Sequence, residues 1–177
     1  QDWQNFYHSL SIDCDLSDIR IPDDPGGFDR VIIMAQGITP QAVFDLCQKE
    51  FKCWKWTDKN LDEIITSDRT TKDSTYAIRI RNSVEADKEL KNLSANQLKE
   101  QNIPGITLEE RLIYEIKFFK ETGKHLDIKN VTLCSGSRDA GGDVPCVDWL
   151  PFFGKMRVYW CYPDHRHGGR RSRQAVS

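Results

Sequence analysis

Four short runs near the C-terminus decide the fold: Leu133-Cys-Ser-Gly-Ser-Arg138, Val144-Pro-Cys-Val-Asp-Trp149, Arg157-Val-Tyr-Trp160 and Arg171-Ser-Arg-Gln-Ala-Val-Ser177. Each run has the length of a β-strand, and turns rich in glycine lie between several of them. A longer polar stretch, Cys161-Tyr-Pro-Asp-His-Arg-His-Gly-Gly-Arg170, separates the last two runs. The pattern predicts a frame of short strands that carries loops on its surface.

A long helix is predicted over residues 107–125, directly before these strands. Thr107-Leu-Glu-Glu110 has the form of a capping box, apolar residues recur at helical spacing, and Gly123 is a typical stop. His125 is expected to lie at the surface or to interact with the C-terminal end of the helix dipole. This helix is the clearest local signal in the chain.

Shorter elements are predicted upstream of the long helix. Phe28–Ala35 and Tyr76–Arg81 have strand patterns, and Thr39 with Pro40 indicates a helix start. A second helix is expected from Thr57 through Ile65, and a capping box begins at Ser94. Since helices come first and strands cluster later, the predicted fold class is α+β. We also expect Trp54 and Trp56 to be core anchors.

Length and composition favour one soluble globular domain. The chain has 177 residues, of which 38% are hydrophobic, so it can bury a core. We divide it into an N-terminal arm, 1–27, and a domain, 28–177. No apolar run is long enough to span a membrane, and the net charge of -2 makes nucleic acid an unfavourable partner for the domain as a whole.

The six cysteines contain no Cys-x-x-Cys pair, and we expect them to be free thiols. Cys161, His165 and His167 do not have the spacing of a common zinc site. There is no phosphate-binding glycine loop, zinc-protease motif or nucleophile elbow. We therefore predict no catalytic residue, no metal and no cofactor.

The loops between and after the strands contain unusual apolar and aromatic residues. Leu150-Pro-Phe-Phe153 follows one strand, and Tyr162 follows another. Side chains of this kind are costly in loops unless a partner covers them. Tyrosine, arginine and other large anchors also concentrate binding energy in interfaces. The loops therefore predict a contact surface, with Phe152 and Phe153 folded back into the core as the alternative.

Several of these motifs together resemble the variable proteins of diversity-generating retroelements. The resemblance rests on Phe28 to Gly37 with Thr39-Pro40, the long helix, Cys134 to Arg138, Val144-Pro145, Trp149, Trp160, Pro163-Asp164 and the C-terminal Arg171-x-Arg-x-Ala-Val-Ser177. It covers most of the chain from Phe28 onward. Such proteins have a C-type lectin fold of the formylglycine-generating-enzyme-like kind, with two helices packed on short antiparallel sheets.

The resemblance implies a display protein that binds a ligand or receptor through diversified side chains. A reverse transcriptase miscopies template adenines, so residues vary at set surface positions within about 139–170. The partner would be an unidentified protein or a cell-surface ligand. The location would be a virion surface, a cell surface or outside the cell, with the cytoplasm as an alternative. The implied variable positions are Asp139, Ala140, Cys146, Asp148, Leu150, Pro151, Phe152, Phe153, Tyr159, Cys161, Tyr162, His165, Arg166, His167, Gly168 and Gly169.

The residue types at these positions agree with that mechanism. Randomised AAC codons cannot encode Lys, Glu, Gln, Met or Trp, and none of those occurs there. Residues 5–33 also lack all five, so the test is permissive. The two cysteines at positions 146 and 161 would be incidental products of the variation. Two departures stand out: Arg170 replaces an expected apolar residue, and residues 150–153 are a long insert for a simple hairpin.

Two other classes of function remain as alternatives. The basic segment from His165 to Arg173, together with Tyr162, could follow a nucleic-acid backbone. An ordered, paired strand from Arg171 to Val176 would weaken this alternative. An enzyme on the same scaffold is the other, and a pocket with Cys134 beside a histidine would favour it.

Overall fold

The computed structural model describes residues 1–177 and has an α+β architecture. Five α-helices are present, together with a 3-10 turn at Lys88–Leu90: α1 Asp2–Ser9, α2 Pro40–Glu50, α3 Leu61–Ile64, α4 Ala95–Glu100 and α5 Leu108–Thr122. The nine strands are β1 Arg30–Met34, β2 Cys53–Lys55, β3 Ile65–Ser67, β4 Tyr76–Ile80, β5 Val131–Leu133, β6 Ser137–Asp139, β7 Val144–Leu150, β8 Lys155–Cys161 and β9 Arg170–Ser172.

The strands form three sheets. The largest has the order β2-β8-β7-β5-β9, and β1-β4 and β3-β6 are separate two-stranded sheets. Strands β7 and β8 pair antiparallel over their full lengths, from Val144 opposite Cys161 to Leu150 opposite Lys155. Residues 151–154 therefore make a four-residue turn, which is a common hairpin length. The insert that the sequence suggested at residues 150–153 does not shift the pairing of β7 with β8.

Helix α5 confirms the strongest local prediction. Thr107 accepts a hydrogen bond from the backbone of Glu110, whose side chain in turn accepts one from the backbone of Thr107. Gly123 ends the helix at φ +68°, a conformation that glycine adopts without steric cost. The capping boxes at Thr107 and Ser94 and the Thr39–Pro40 start are all present.

The main core lies between α2, α5, the β1-β4 sheet and one face of the large sheet. A second, smaller core covers part of the opposite face of the large sheet. It contains Leu90 from the 3-10 turn and Leu98 from α4, which pack with Leu133 and Val144 of the sheet. Where the large sheet carries Leu133 and Val144, both of its faces are therefore buried.

Several predictions about single elements were wrong. Residues 2–9 of the expected arm form α1, whose Phe6 and Tyr7 belong to the main core. The short helix α3 is capped by Asn60 instead of Thr57. Trp54 is 45% exposed, because it lies on the open side of a three-residue edge strand.

His125 also differs from its prediction. Its ring stacks on that of Trp149 with an interplanar angle of 5°, and its Nδ1 lies 2.9 Å from Glu115 Oε1. The side chain is 13% exposed. His125 therefore joins the end of α5 to the large sheet through an aromatic contact that the local sequence does not indicate.

A buried ionic network centred on Asp127 connects segments that are distant in sequence. Asp127 accepts hydrogen bonds from Arg111 Nε at 2.9 Å and from Arg173 Nη2 at 2.9 Å, and Thr132 also donates to it. Arg111 also pairs with Glu115 at 2.7 Å. All four charged side chains are 0% exposed. Two cations and two anions balance here, as burial of charge requires.

The backbone around Asp127 supports the same arrangement. Asp127 has φ +52°, which an aspartate tolerates better than most residues. Its carboxylate accepts from the backbone N–H of Ala86 at 2.9 Å, and Arg173 donates to the carbonyls of Ser83 and Val84 at 2.8 Å. The network therefore connects α5, the segment around Ala86, strand β5 and the C-terminal segment.

None of the helices has both the length and the apolar composition that crossing a bilayer requires.

Replacing Asp127 by Asn should lower the free energy of unfolding by about 3–5 kcal/mol, because Arg111 and Arg173 then keep buried charges with one compensating anion. Urea denaturation measures this difference. The matched control is Asp58→Asn at an exposed position, where we expect a change within about 0.5 kcal/mol. Equal effects of the two substitutions would show that the network does not stabilise the fold.

Candidate binding surface

The β7–β8 hairpin has one face in the main core and one face that is only partly covered. Val147, Met156 and Val158 point into the main core. Because paired residues of an antiparallel ladder share a face, the pairs Cys146–Tyr159, Asp148–Arg157 and Leu150–Lys155 lie on the other side. The second core covers this side only at its Cys146 end. Beyond that end Asp148 is buried by its pairing with Arg157, whereas Leu150, Lys155 and Arg157 are half-buried.

We call the accessible part the open sheet face, formed by Trp54, Lys155, Arg157 and Tyr159. Trp54 of β2 pairs with Arg157 of β8 and therefore lies beside it. Arg157 makes two hydrogen bonds to Asp148, at 3.0 and 2.6 Å, and its guanidinium lies 4.9 Å from the centre of the Tyr159 ring. Arg157 is thereby held in one position against the Tyr159 ring, the arrangement of a preorganised binding surface.

The hairpin tip, Pro151–Gly154, extends beyond one end of this face. Phe152 is 91% exposed and Phe153 is 59% exposed. Their rings meet edge to face at 5.0 Å, and Lys155 Nζ lies 5.5 Å from the centre of the Phe153 ring. Gly154 has φ +57°, which closes the turn. Neither phenylalanine folds back into the core.

The end loop, Tyr162–Gly169, lies at the other end, after β8. Tyr162 is 60% exposed, and its ring contacts the exposed Trp160 edge to face at 5.3 Å. The loop is anchored by hydrogen bonds from Asn96 N to the carbonyl of Pro163 and from Val131 N to that of Gly169, both at 2.9 Å. Its backbone is therefore attached to the frame, while its side chains face water.

The predicted positions fall into three groups by exposure. Exposed positions are Ala140, Pro151, Phe152, Phe153, Tyr162, His165, Arg166, His167 and Gly168. Half-buried positions are Asp139, Leu150, Tyr159 and Gly169. Cys146, Asp148 and Cys161 are buried, and for them the expectation of surface display was wrong. The two cysteines belong to the second core, and the Asp148 carboxylate is occupied by Arg157.

The exposed positions form two patches and not one continuous loop surface. The tip and the end loop lie at opposite ends of β8, which puts them about 20 Å apart. The open sheet face lies between them. Ala140, in the turn before β7, lies at the end of the hairpin where Val144 pairs with Cys161.

Sequence reasoning missed three members of the surface: Trp54, Lys155 and Arg157. The short run Cys53-Trp-Lys55 gives too weak a strand signal, and only its pairing with β8 brings Trp54 to the face. The alternation in Lys155-Met-Arg157-Val could have indicated the other two, because polar residues there alternate with core residues.

The alternative of nucleic-acid binding loses part of its basic segment to the frame. Arg173 is 0% exposed within the Asp127 network. Arg171 is half-buried and donates to the carbonyl of Ala86 at 3.3 Å. The segment from Arg171 to Val176 is ordered, through β9 and a bridge between Val176 and Arg79.

The alternative of an enzyme loses its proposed nucleophile. Cys134 is 0% exposed in the main core, and burial raises the pKa of its thiol far above the ordinary value. No histidine hydrogen bonds to it, since His125 pairs with Glu115, His165 with Arg170 and His167 with the amide of Gly169. A protonated thiol without a base is a poor nucleophile.

Glu109 is a buried carboxyl outside the network whose pKa is raised. Burial raises the pKa of Glu109 to about 7, against hydrogen bonds from its own backbone N–H and from Ser67 that lower it. Ser67 Oγ lies 2.8 Å from Glu109 Oε2 and 2.7 Å from Ser137 Oγ, which accepts from the N–H of Leu108. These hydroxyls join β3 and β6 to the start of α5. The Glu109 carboxyl takes part in this contact between elements.

Comparison of the chain with family models, with curated proteins and with solved structures gave no match.

The Glu109 carboxyl should make stability depend on pH. Its pKa is about 7 in the folded chain against an ordinary value of 4.5, so its contribution is fully present below about pH 4.5 and is lost as the pH rises through about 7. Glu109→Gln should therefore be more stable than the parent by about 1–3 kcal/mol at pH 8 and similar to it at pH 5. Urea denaturation at both pH values tests this.

The matched control for Glu109 is Glu63→Gln, at an exposed position of α3. This substitution should leave the difference in the free energy of unfolding between pH 5 and pH 8 the same as in the parent. A Glu109→Gln variant that loses stability at pH 8 would mean that the folded chain favours the ionised carboxylate, so that burial does not raise its pKa.

Proposed function

We propose that the protein is a display protein that binds a ligand or receptor through its C-terminal surface. The observation that carries this proposal is the exposure of Phe152, Phe153 and Tyr162 on segments anchored to a well-packed frame. Exposed aromatics of this size are unfavourable in water, and a partner that covered them would gain from their burial. Catalysis is no part of the proposal.

Preorganisation supports the same function. The backbone of the end loop is hydrogen-bonded to α4 and β5, and Arg157 is held by Asp148. Side chains on a rigid base lose less entropy on binding than those on a free loop. The tip, the open sheet face and the end loop together offer aromatic rings and cations, the residue types that dominate binding energy at interfaces.

We further propose that the exposed positions are diversified by a retroelement and that the frame is a C-type lectin fold. The α+β architecture, with two longer helices against short sheets, is compatible with that fold. The separation between buried frame and exposed positions is what such diversification needs, because substitutions at the exposed positions leave the core intact. The three buried positions at 146, 148 and 161 are excluded from the variable set.

The neighbouring DNA tests the diversification directly. We expect a near-copy of the 3′ end of this gene, next to a reverse-transcriptase gene, that differs from it mainly at adenines. The differences should fall in codons for the tip and the end loop. A near-copy with differences spread evenly over frame codons, or the absence of any near-copy and reverse transcriptase, would contradict this part of the proposal.

The paired substitution Phe152→Ala and Tyr162→Ala tests whether the displayed side chains are independent of the core. Because both rings are largely exposed, we expect the free energy of unfolding, measured by thermal unfolding, to fall by less than about 1 kcal/mol. The control, Phe44→Ala at a position that is 1% exposed, should cost about 3–5 kcal/mol. A loss of control size from the paired substitution would place these rings in the core and contradict display.

A further inference from the structure

Two buried thiols meet where β7 and β8 lead to the end loop. The Sγ atoms of Cys146 and Cys161 lie 3.4 Å apart, with Cys146 donating to Cys161. Cys146 is opposite Tyr159, and Cys161 is opposite Val144, so the two are diagonal neighbours on one face of the hairpin. They are 0% and 3% exposed in the second core.

The other cysteines are not arranged in this way. The Cys47 thiol points to the carbonyl of Leu112 at 3.9 Å, and the Cys53 thiol points to that of Phe51 at 3.4 Å. Cys134 is buried in the main core and Cys14 is half-buried at the N-terminal side. Cys47 and Cys53 are also neighbours, and burial together with the Cys53 thiol raises the pKa of Cys47, but both of these thiols point to carbonyls.

We propose that Cys146 and Cys161 are a site of reversible oxidation, where a small hydroperoxide converts the two thiols into a disulfide that joins β7 to β8 at the start of the end loop. The near absence of solvent access favours a small oxidant over a bulky disulfide. Diagonal partners have Cα atoms about 7–8 Å apart, beyond the usual upper limit of about 6.8 Å for a disulfide. Closing the bond needs a small approach of the strands, and a bond formed in this way is readily reduced.

The electrostatics give the two thiols different roles. The hydrogen bond from Cys146 and the nearby charge of Arg170 lower the pKa of Cys161 against the effect of burial. The same pairing, with burial, raises the pKa of Cys146. Cys161 is therefore the thiol that reaches the thiolate state first, and the thiolate is the nucleophile in this chemistry.

The reaction balances with the hydroperoxide as the only oxidant. The Cys161 thiolate attacks one peroxide oxygen, the O–O bond breaks, and an alcohol leaves after taking up a proton, so that Cys161 becomes a sulfenic acid. The Cys146 sulfur then attacks the Cys161 sulfur, the S–O bond breaks, and water leaves with the Cys146 proton. Two thiols lose two electrons and two protons, and the hydroperoxide is reduced to alcohol and water.

Oxidation would fix the strand end from which Tyr162 departs. Any effect on partner binding rests on the proposed display function, whereas the formation of the disulfide does not. If the disulfide forms but no partner binds the tip and the end loop, display alone is contradicted. A chain that binds a partner but forms no disulfide would count against this proposal alone.

The test treats the full-length native chain with hydrogen peroxide, blocks the remaining thiols and maps tryptic peptides by mass. We expect a cross-link between peptides 139–155 and 158–166, which dithiothreitol reverses. In Cys146→Ser the reaction should stop at the sulfenic acid of Cys161, which dimedone traps when the chain is unfolded in urea after the peroxide is removed. The control Cys14→Ser should give the parent cross-link in the parent yield.

Three results would overturn the proposal. The first is native chain that shows no cross-link between these peptides under peroxide that oxidises other cysteines. The second is a cross-link confined to the peptides that contain Cys47 and Cys53. The third is equal dimedone labelling of Cys161 in the parent and in Cys146→Ser, which would mean that Cys146 does not resolve the sulfenic acid.

Discussion

The carboxylate of Asp127 is the point on which the fold depends. It is fully buried and binds the side chains of Arg111 and Arg173 at once, with Thr132 and the backbone of Ala86 completing its hydrogen bonds. These partners come from α5, from β5, from the segment before α4 and from the last residues of the chain. A buried charge group is stable only while every partner is in place, so the network selects one arrangement of all four segments.

The display geometry follows from this constraint. Arg173 holds the C-terminal segment in the interior, where the backbone N–H of Ile106 donates to the carbonyl of Arg173 and that of Ala175 donates to Pro104. β9, which immediately precedes Arg173, therefore pairs with β5, and the end loop must lie between the fixed ends of β8 and β9. The hairpin tip needs no such support, because the β7–β8 ladder continues up to Leu150. The exposed aromatics are thus carried by segments whose ends are fixed.

Local signals in the sequence were enough for some elements. Thr107 and Ser94 each start a helix through hydrogen bonds within three residues, and Thr39 with Pro40 does the same. Contacts over long sequence separations could not be predicted. Helix α1 is short and has a weak pattern, yet Phe6 and Tyr7 are buried in the main core, where Tyr7 also donates to the carbonyl of Ile33 at 2.6 Å.

The candidate surface was predictable to a similar extent. Apolar residues in turns correctly indicated exposure at Phe152, Phe153 and Tyr162. The burial of Cys146 and Cys161 was missed because the residues that cover them, including Leu90 and Leu98, lie 48 to 71 residues earlier in the chain. Trp54 reaches the open sheet face only through a parallel pairing of β2 with β8, which no local pattern encodes.

Amide hydrogen exchange along the native chain tests most directly whether a rigid frame carries independent side chains. The account predicts the slowest exchange at α5, in β7 and β8, and at the amides of Ile106 and Ala175 next to the Asp127 network. Fast exchange is expected at Phe152 and at Arg166 to Gly168, whose amides make no backbone hydrogen bond to the frame. Protection of these loop amides equal to that of α5, or fast exchange at Ile106 and Ala175, would contradict it.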